Sequence, residues 1–114
     1  MNVELLAPAG NFSKLKTALY FGADAVYVGG KSFSLRTFAD NFTIEELDEA
    51  VKYTHERGKK IYVTVNIFAK NADFEQAKIY FSQLDKMGVD GIIISDLGLF
   101  SVAKEYAPNT DLHV

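Results

Sequence analysis

The chain has 114 residues, 48% of them hydrophobic and 24% charged, a balance that suits one soluble globular domain with its own core. The absence of cysteine excludes disulfides, thiolate metal sites and cysteine nucleophiles from this stretch. A net charge of −3 and a pI near 5.3 argue against a generally basic binder of nucleic acid or anionic membrane, though not against a local basic patch.

The first element expected is a strand over 3–7, followed by the tight turn Ala7-Pro8-Ala9-Gly10-Asn11. Phe12, Leu15, Ala18 and Leu19 form an apolar stripe at helical spacing and predict a helix over 12–21. Gly22 closes it and leads into a strand over 24–29. After a long loop, Thr43-Ile44-Glu45-Glu46 reads as a capping box, opening a helix over 44–57 on the stripe Ile44, Leu47, Val51 and Thr54. Gly58 precedes a strand over 60–66. Asp73-Phe74-Glu75-Gln76, an acidic variant of the box, opens a helix over 74–87 that carries Ala77, Phe81, Leu84 and Met87. Gly88 leads to a strand over 91–95, Leu99, Val102, Ala103 and Tyr106 mark a helix over 97–106 stopped by Pro108, and a fifth strand begins near Leu112.

The same glycine-to-strand step recurs at 22, 58 and 88, and GADAVYV at 22–28 aligns in residue type with GVDGIII at 88–94. Each glycine stands where a helix end favours positive φ. Strands alternating with helices in units of about thirty residues predict right-handed βαβ crossovers and a parallel sheet, an α/β fold. Two closures compete, a doubly wound sandwich and part of a (β/α)8 barrel. The third strand favours the barrel, because Ile61, Val63 and Val65 share one face while Tyr62, Thr64 and Asn66 share the other, whereas a central doubly wound strand is apolar on both. The expectation is the N-terminal half of a TIM-type barrel: one incomplete domain of four βα units plus the start of a fifth strand, ending in Asp111-Leu112-His113-Val114.

Several familiar motifs fail. Gly29-Gly30-Lys31-Ser32 lacks the earlier glycine of a phosphate loop, since position 25 is Ala25, and no GxGxxG or HExxH occurs. Two histidines, His55 and His113, cannot build a multi-histidine metal site, so no metal site is expected. His55 reads as part of a solvated helix end with a favourable dipole contact. The remaining candidates lie where α/β folds place ligands, at the carboxyl ends of strands. Asn11 serves as a helix N-cap or lets a ligand approach the backbone. Asn66 ends the third strand with an amide. Asp96 follows the fourth, as a base, a ligand-orienting group or the N-cap of the next helix. His113 is either a packed interior residue or a site residue. The loop Gly29 to Phe42 interleaves Lys31 and Arg36 with Phe33, Phe38 and Phe42, so it either attracts an anion and stacks rings or plugs the barrel top with its phenylalanines. Arg36 is the strongest candidate for an anion contact, because its planar fork matches carboxylate and phosphate bidentately.

ELLAPAG at 4–10, GADAVYVGG at 22–30, FSLR at 33–36, Asn41-Phe42, the VTVN ending at 66 and SDLG at 95–98 together resemble the opening of the collagenase-like peptidase family U-32. The resemblance covers essentially the whole chain. It implies a TIM-type barrel, a historical label of protease or collagenase, and relatives that hydroxylate transfer or ribosomal RNA, in one branch with a prephenate requirement, or that support oxygen-independent hydroxylation in quinone synthesis. Arg36, Asn41, Asn66 and Asp96 match family positions at the barrel mouth, and Glu4 matches the acidic residue of the first strand. With the loop and strand-end readings above, Asp96, Asn66 and Glu4 are the catalytic candidates, and Arg36, Asn41, Lys31 and His113 the substrate-binding ones.

The resemblance also implies an iron-sulfur cluster held by cysteines of a later region absent here, so no cofactor is expected within this chain. The leading expectation is the N-terminal half-barrel of an RNA-hydroxylating family member, inactive alone, meeting RNA or a small carboxylate metabolite. The alternatives are a half-barrel module that completes its barrel as a homodimer, and a peptidase as the family label suggests. Solution mass separates the module from the fragment. The N-terminus shows neither a basic n-region nor a long apolar h-region, and no run approaches the ~18 apolar residues of a membrane span, so the expected address is the cytoplasm, without membrane contact.

Overall fold

The computed structural model describes residues 5–29, 42–65, 74–94 and 97–113, apart from the side chains of 74–76 and 97. Nine elements alternate along it: β1 (Leu6–Pro8), α1 (Phe12–Tyr20), β2 (Ala25–Gly29), α2 (Ile44–Glu56), β3 (Lys60–Val65), α3 (Phe74–Met87), β4 (Gly91–Ile94), α4 (Leu97–Tyr106) and β5 (Asp111–His113). The expected order of elements holds throughout. The first strand runs one residue past the expected end at 7, to Pro8, while positions 3 and 4 of the expected strand lie outside the described residues. Proline has no N–H to donate, and it is accommodated because its neighbours make the bonds to β2, Ala9 donating to the Tyr27 carbonyl at 3.0 Å, while Pro8 faces the edge that β1 forms among the described residues.

Helix ends are set by local chemistry. At α1 the Asn11 side chain accepts from the Lys14 N–H at 2.8 Å, which gives Asn11 its N-cap role. At α2 both halves of the capping box form, Glu46 N–H to Thr43 Oγ1 at 3.1 Å and Thr43 N–H to Glu46 Oε1 at 3.0 Å. The repeated glycine explains the other ends. Gly22, Gly58 and Gly88 have φ of +96°, +70° and +82°, and the residue after each donates back to a carbonyl of the last helical turn: Ala23 to Ala18, Lys59 to Thr54, Val89 to Leu84. The three helices thus end in one Schellman-type turn that reverses the chain into the next strand.

The five strands are parallel and adjacent in sequence order, β1-β2-β3-β4-β5. A doubly wound sheet reverses its strand order partway, and this sheet does not. Sequential right-handed crossovers put all the helices on one side, which is the wall of a (β/α)8 barrel. The side chains agree. Val26, Val28, Ile61, Val63, Val65, Ile92 and Ile94 are each 2% exposed or less and share one core with Leu15, Leu47, Phe81, Leu84 and Leu99 of the helices. The alternating residues Tyr27, Tyr62, Thr64 and Ile93 are half-buried, and Leu6, Pro8 and His113 are exposed. The concave inner face is therefore the open one.

Two packing details sit behind the sheet. Thr54, on the buried side of α2, has a hydroxyl with no hydrogen-bond partner among the described residues. Removing that hydroxyl while keeping the branched shape removes a desolvation cost, so Thr54→Val is expected to raise stability by about 1 kcal/mol in denaturant unfolding. On α3, burial raises the pKa of the Tyr80 phenol well above its ordinary value, so the ring packs as a neutral group.

Candidate functional site

Parallel strands give the sheet two chemically different rims. At the amino rim the repeated aspartate of GADAVYV and GVDGIII performs one structural task twice. The Asp24 N–H donates to the Leu5 carbonyl while its carboxylate accepts from the Leu5 N–H, each at 2.8 Å. Asp90 treats Ile61 in the same way, at 2.9 and 2.8 Å. Each aspartate thus clamps the foot of the preceding strand by engaging both the N–H and the carbonyl of one residue. A basic side chain completes each clamp: Lys59 Nζ lies 3.7 Å from Asp24, and His55 Nε2 lies 2.7 Å from Asp90 Oδ2. His55 is exposed, as a solvated helix end requires, and is in addition a hydrogen-bond partner of Asp90. Conservation of type between the two repeats here serves stability.

The carboxyl rim carries the ligand-facing candidates. Register fixes two rows on the inner face. Gly29, Thr64, Ile93 and His113 stand side by side nearest the rim, and Pro8, Tyr27, Tyr62, Gly91 and Asp111 form the row beneath. Thr64 Oγ1 donates to the Val28 carbonyl at 3.2 Å, tying β3 to β2 just below the rim. Among the described residues His113 is exposed on the inner face. Its ring meets that of Tyr62 edge-on, with centroids 5.8 Å apart and planes at 81°.

Glu4, Lys31, Arg36, Asn41, Asn66 and Asp96 lie outside the described residues, and His113 alone of the site candidates lies within them. The described residues around them show where the chain leaves and re-enters the fold. The Phe42 N–H donates to the Gly29 carbonyl at 2.9 Å, so the segment containing Lys31, Arg36 and Asn41 starts and finishes at the carboxyl end of β2. Phe42 itself is 1% exposed and belongs to the helix-side core, so packing, not ring stacking with a ligand, is its role. Asn66 directly follows the carboxyl end of β3, and Asp96 directly precedes α4. Leu5, the neighbour of Glu4, is fastened at the amino rim by Asp24.

Two residues at the site escaped sequence reasoning, Tyr62 as the neighbour of His113 and Gly91 as the space between them. A signal existed, because Gly91 replaces the Ala25 of the first repeat. Among the described residues no group of three or more His, Cys, Asp or Glu side chains could hold a metal ion. No helix among them is long and apolar enough to cross a membrane.

The family model of peptidase family U32 matches residues 10–114. The chain belongs to this family. It is 48% identical to tRNA hydroxylation protein P1 of Bacillus subtilis strain 168, over 97% of this chain and 26% of that protein. It is 43% identical to an uncharacterized protease of Methanocaldococcus jannaschii, over 90% of this chain and 25% of that protein. The chain thus spans about a quarter of the length of these curated relatives. A solved U32 peptidase superposes with a TM-score of 0.74 at 16% identity, over 97% of this chain and 47% of that one, a likeness of fold alone. The U32 family member described here is accordingly an α/β protein whose five strands form part of a barrel wall.

Proposed function

We propose that this U32 chain forms the N-terminal part of the barrel of a tRNA-hydroxylating protein and supplies substrate-contacting groups at its carboxyl rim. The observation that carries this reading is the 48% identity to a tRNA hydroxylation protein over 97% of the chain, a span that takes in Lys31, Arg36, Asn41, Asn66 and Asp96. In this reading Arg36 and Lys31 contact phosphate, Asn41 and His113 bind the nucleotide, and Asn66, Asp96 and Glu4 serve the chemistry. Asp96 then accepts or donates the proton, and the Asn66 amide orients the reacting group. The iron-sulfur cluster implied by the family resemblance finds no thiolate in this chain, which has no cysteine. Any thiolate ligands for it come from outside this sequence.

Arg36 and Lys31 differ in what they offer a phosphate. Arg36→Ala is expected to weaken binding of an unmodified tRNA transcript more than Lys31→Ala, because only the arginine loses a bidentate fork. Filter binding across a salt series measures both. Equal losses with equal changes in salt slope would reduce the pair to nonspecific phosphate contacts and remove Arg36 from the site.

A further inference from the structure

Tyr62 and His113 stand on different strands, one row apart, with β4 between them. On β4 the intervening residue is Gly91, and it cannot be anything larger without movement. A Cβ built there would lie 2.6 Å from Tyr62 Cδ1, 2.8 Å from Tyr62 Cε1 and 3.2 Å from His113 Cδ2. The tyrosine ring therefore leans across the β4 backbone through the volume that a side chain would fill, and its contact with the imidazole takes place over that gap. β5 is an edge strand among the described residues and His113 is exposed on it, so without a neighbour its imidazole would sample several rotamers.

We propose that Tyr62, admitted by Gly91, is a positioning residue that fixes the His113 imidazole at the carboxyl rim. The proposal rests on the reading of His113 as a substrate-binding residue. It assigns a role to two residues that touch no substrate themselves: the aromatic ring restricts the imidazole, and the missing Cβ lets the ring reach it.

The chain has two histidines, which makes the test self-controlled. His55 lies at the opposite rim, 2.7 Å from Asp90, and reports on the fold independently of the Tyr62 contact. In the chain labelled with 13C and 15N at histidine, Tyr62→Leu and Gly91→Ala are each expected to move the His113 ring resonances and leave those of His55 in place. Tyr62→Phe, which keeps the ring, is expected to restore the His113 positions. With an unmodified tRNA transcript as probe, Tyr62→Leu is expected to weaken binding roughly two- to tenfold, the scale of ordering one side chain, and Tyr62→Phe to bind as the parent does. His113 resonances unmoved by Tyr62→Leu, or both histidines displaced together, would overturn the positioning role. A His113→Ala chain that binds tRNA as tightly as the parent would instead overturn the substrate-binding reading, even with the resonance shifts as expected.

Discussion

Asp90→Ala is expected to destabilise the chain by about 2–3 kcal/mol, the largest effect of any single polar truncation at the amino rim. One carboxylate oxygen accepts from the Ile61 N–H at 2.8 Å and lies 2.7 Å from His55 Nε2, so truncation strands a backbone donor at the foot of a central strand and leaves the imidazole without its partner. Asp24→Ala breaks the equivalent clamp on Leu5 but is expected to cost only about 1 kcal/mol. Among the described residues β1 is an edge strand and Leu5 is exposed, so water can replace the lost acceptor. His55→Ala is expected to cost less than about 1 kcal/mol, since that side chain is 38% exposed and its pair is screened. Urea unfolding of the three variants measures the ranking. Asp24→Ala proving the costliest would mean that the edge strand, not β3, limits the stability of the sheet.

Asp85→Ala is expected to cost about 2 kcal/mol and to act locally. Asp85 Oδ1 accepts from the Asn109 N–H at 3.0 Å and from the Thr110 hydroxyl at 2.7 Å, and Asp85 Oδ2 from the Asn109 side chain at 3.3 Å. One side chain on α3 thus fastens the whole turn that leads from α4 into β5. Without it the turn keeps the Thr110 N–H to Ala107 carbonyl bond at 3.3 Å, a weak hold for a three-residue strand. Hydrogen exchange should then show protection lost at 110–113 while β3 and β4 keep theirs. Because β5 carries His113, three residues beyond Thr110, the same variant should also disturb the carboxyl rim. Uniform loss of protection across all five strands would contradict this account, since it would make Asp85 a determinant of global stability.

The fold was largely legible because its determinants are local. The positive-φ glycines, the two halves of the Thr43-Glu46 box and the alternation of Ile61, Val63 and Val65 with Tyr62 and Thr64 act within a few residues, and such spacing survives in a one-dimensional string. The partnership of His55 with Asp90 joins residues thirty-five apart, and that of Tyr62 with His113 depends on an absent side chain at Gly91 on a third strand. No spacing rule records either. Phe42 shows a related limit, because its place in an aromatic-rich loop suggested a ligand platform, while its N–H contact with Gly29 draws it into the core. Of the candidate site, the rim itself could be read from the βα order, and His113 occupies it. Lys31 and Arg36 are read from the chemistry of their loop, Asn66 and Asp96 from strand ends, and Glu4 and Asn41 from family motif positions, and all six lie outside the described residues.

If this chain does the work of the matching segment of a tRNA hydroxylation protein, it should function in that segment's place in a chimera. The segment of Bacillus subtilis tRNA hydroxylation protein P1 that aligns with this chain, about a quarter of that protein, is replaced by the present sequence. The hydroxylated nucleoside content of tRNA is then measured by mass spectrometry in cells lacking the parent gene. Restored hydroxylation, abolished or sharply reduced by Arg36→Ala in the chimera, is the predicted result. A chimera that accumulates as a folded protein yet leaves tRNA unhydroxylated would contradict it.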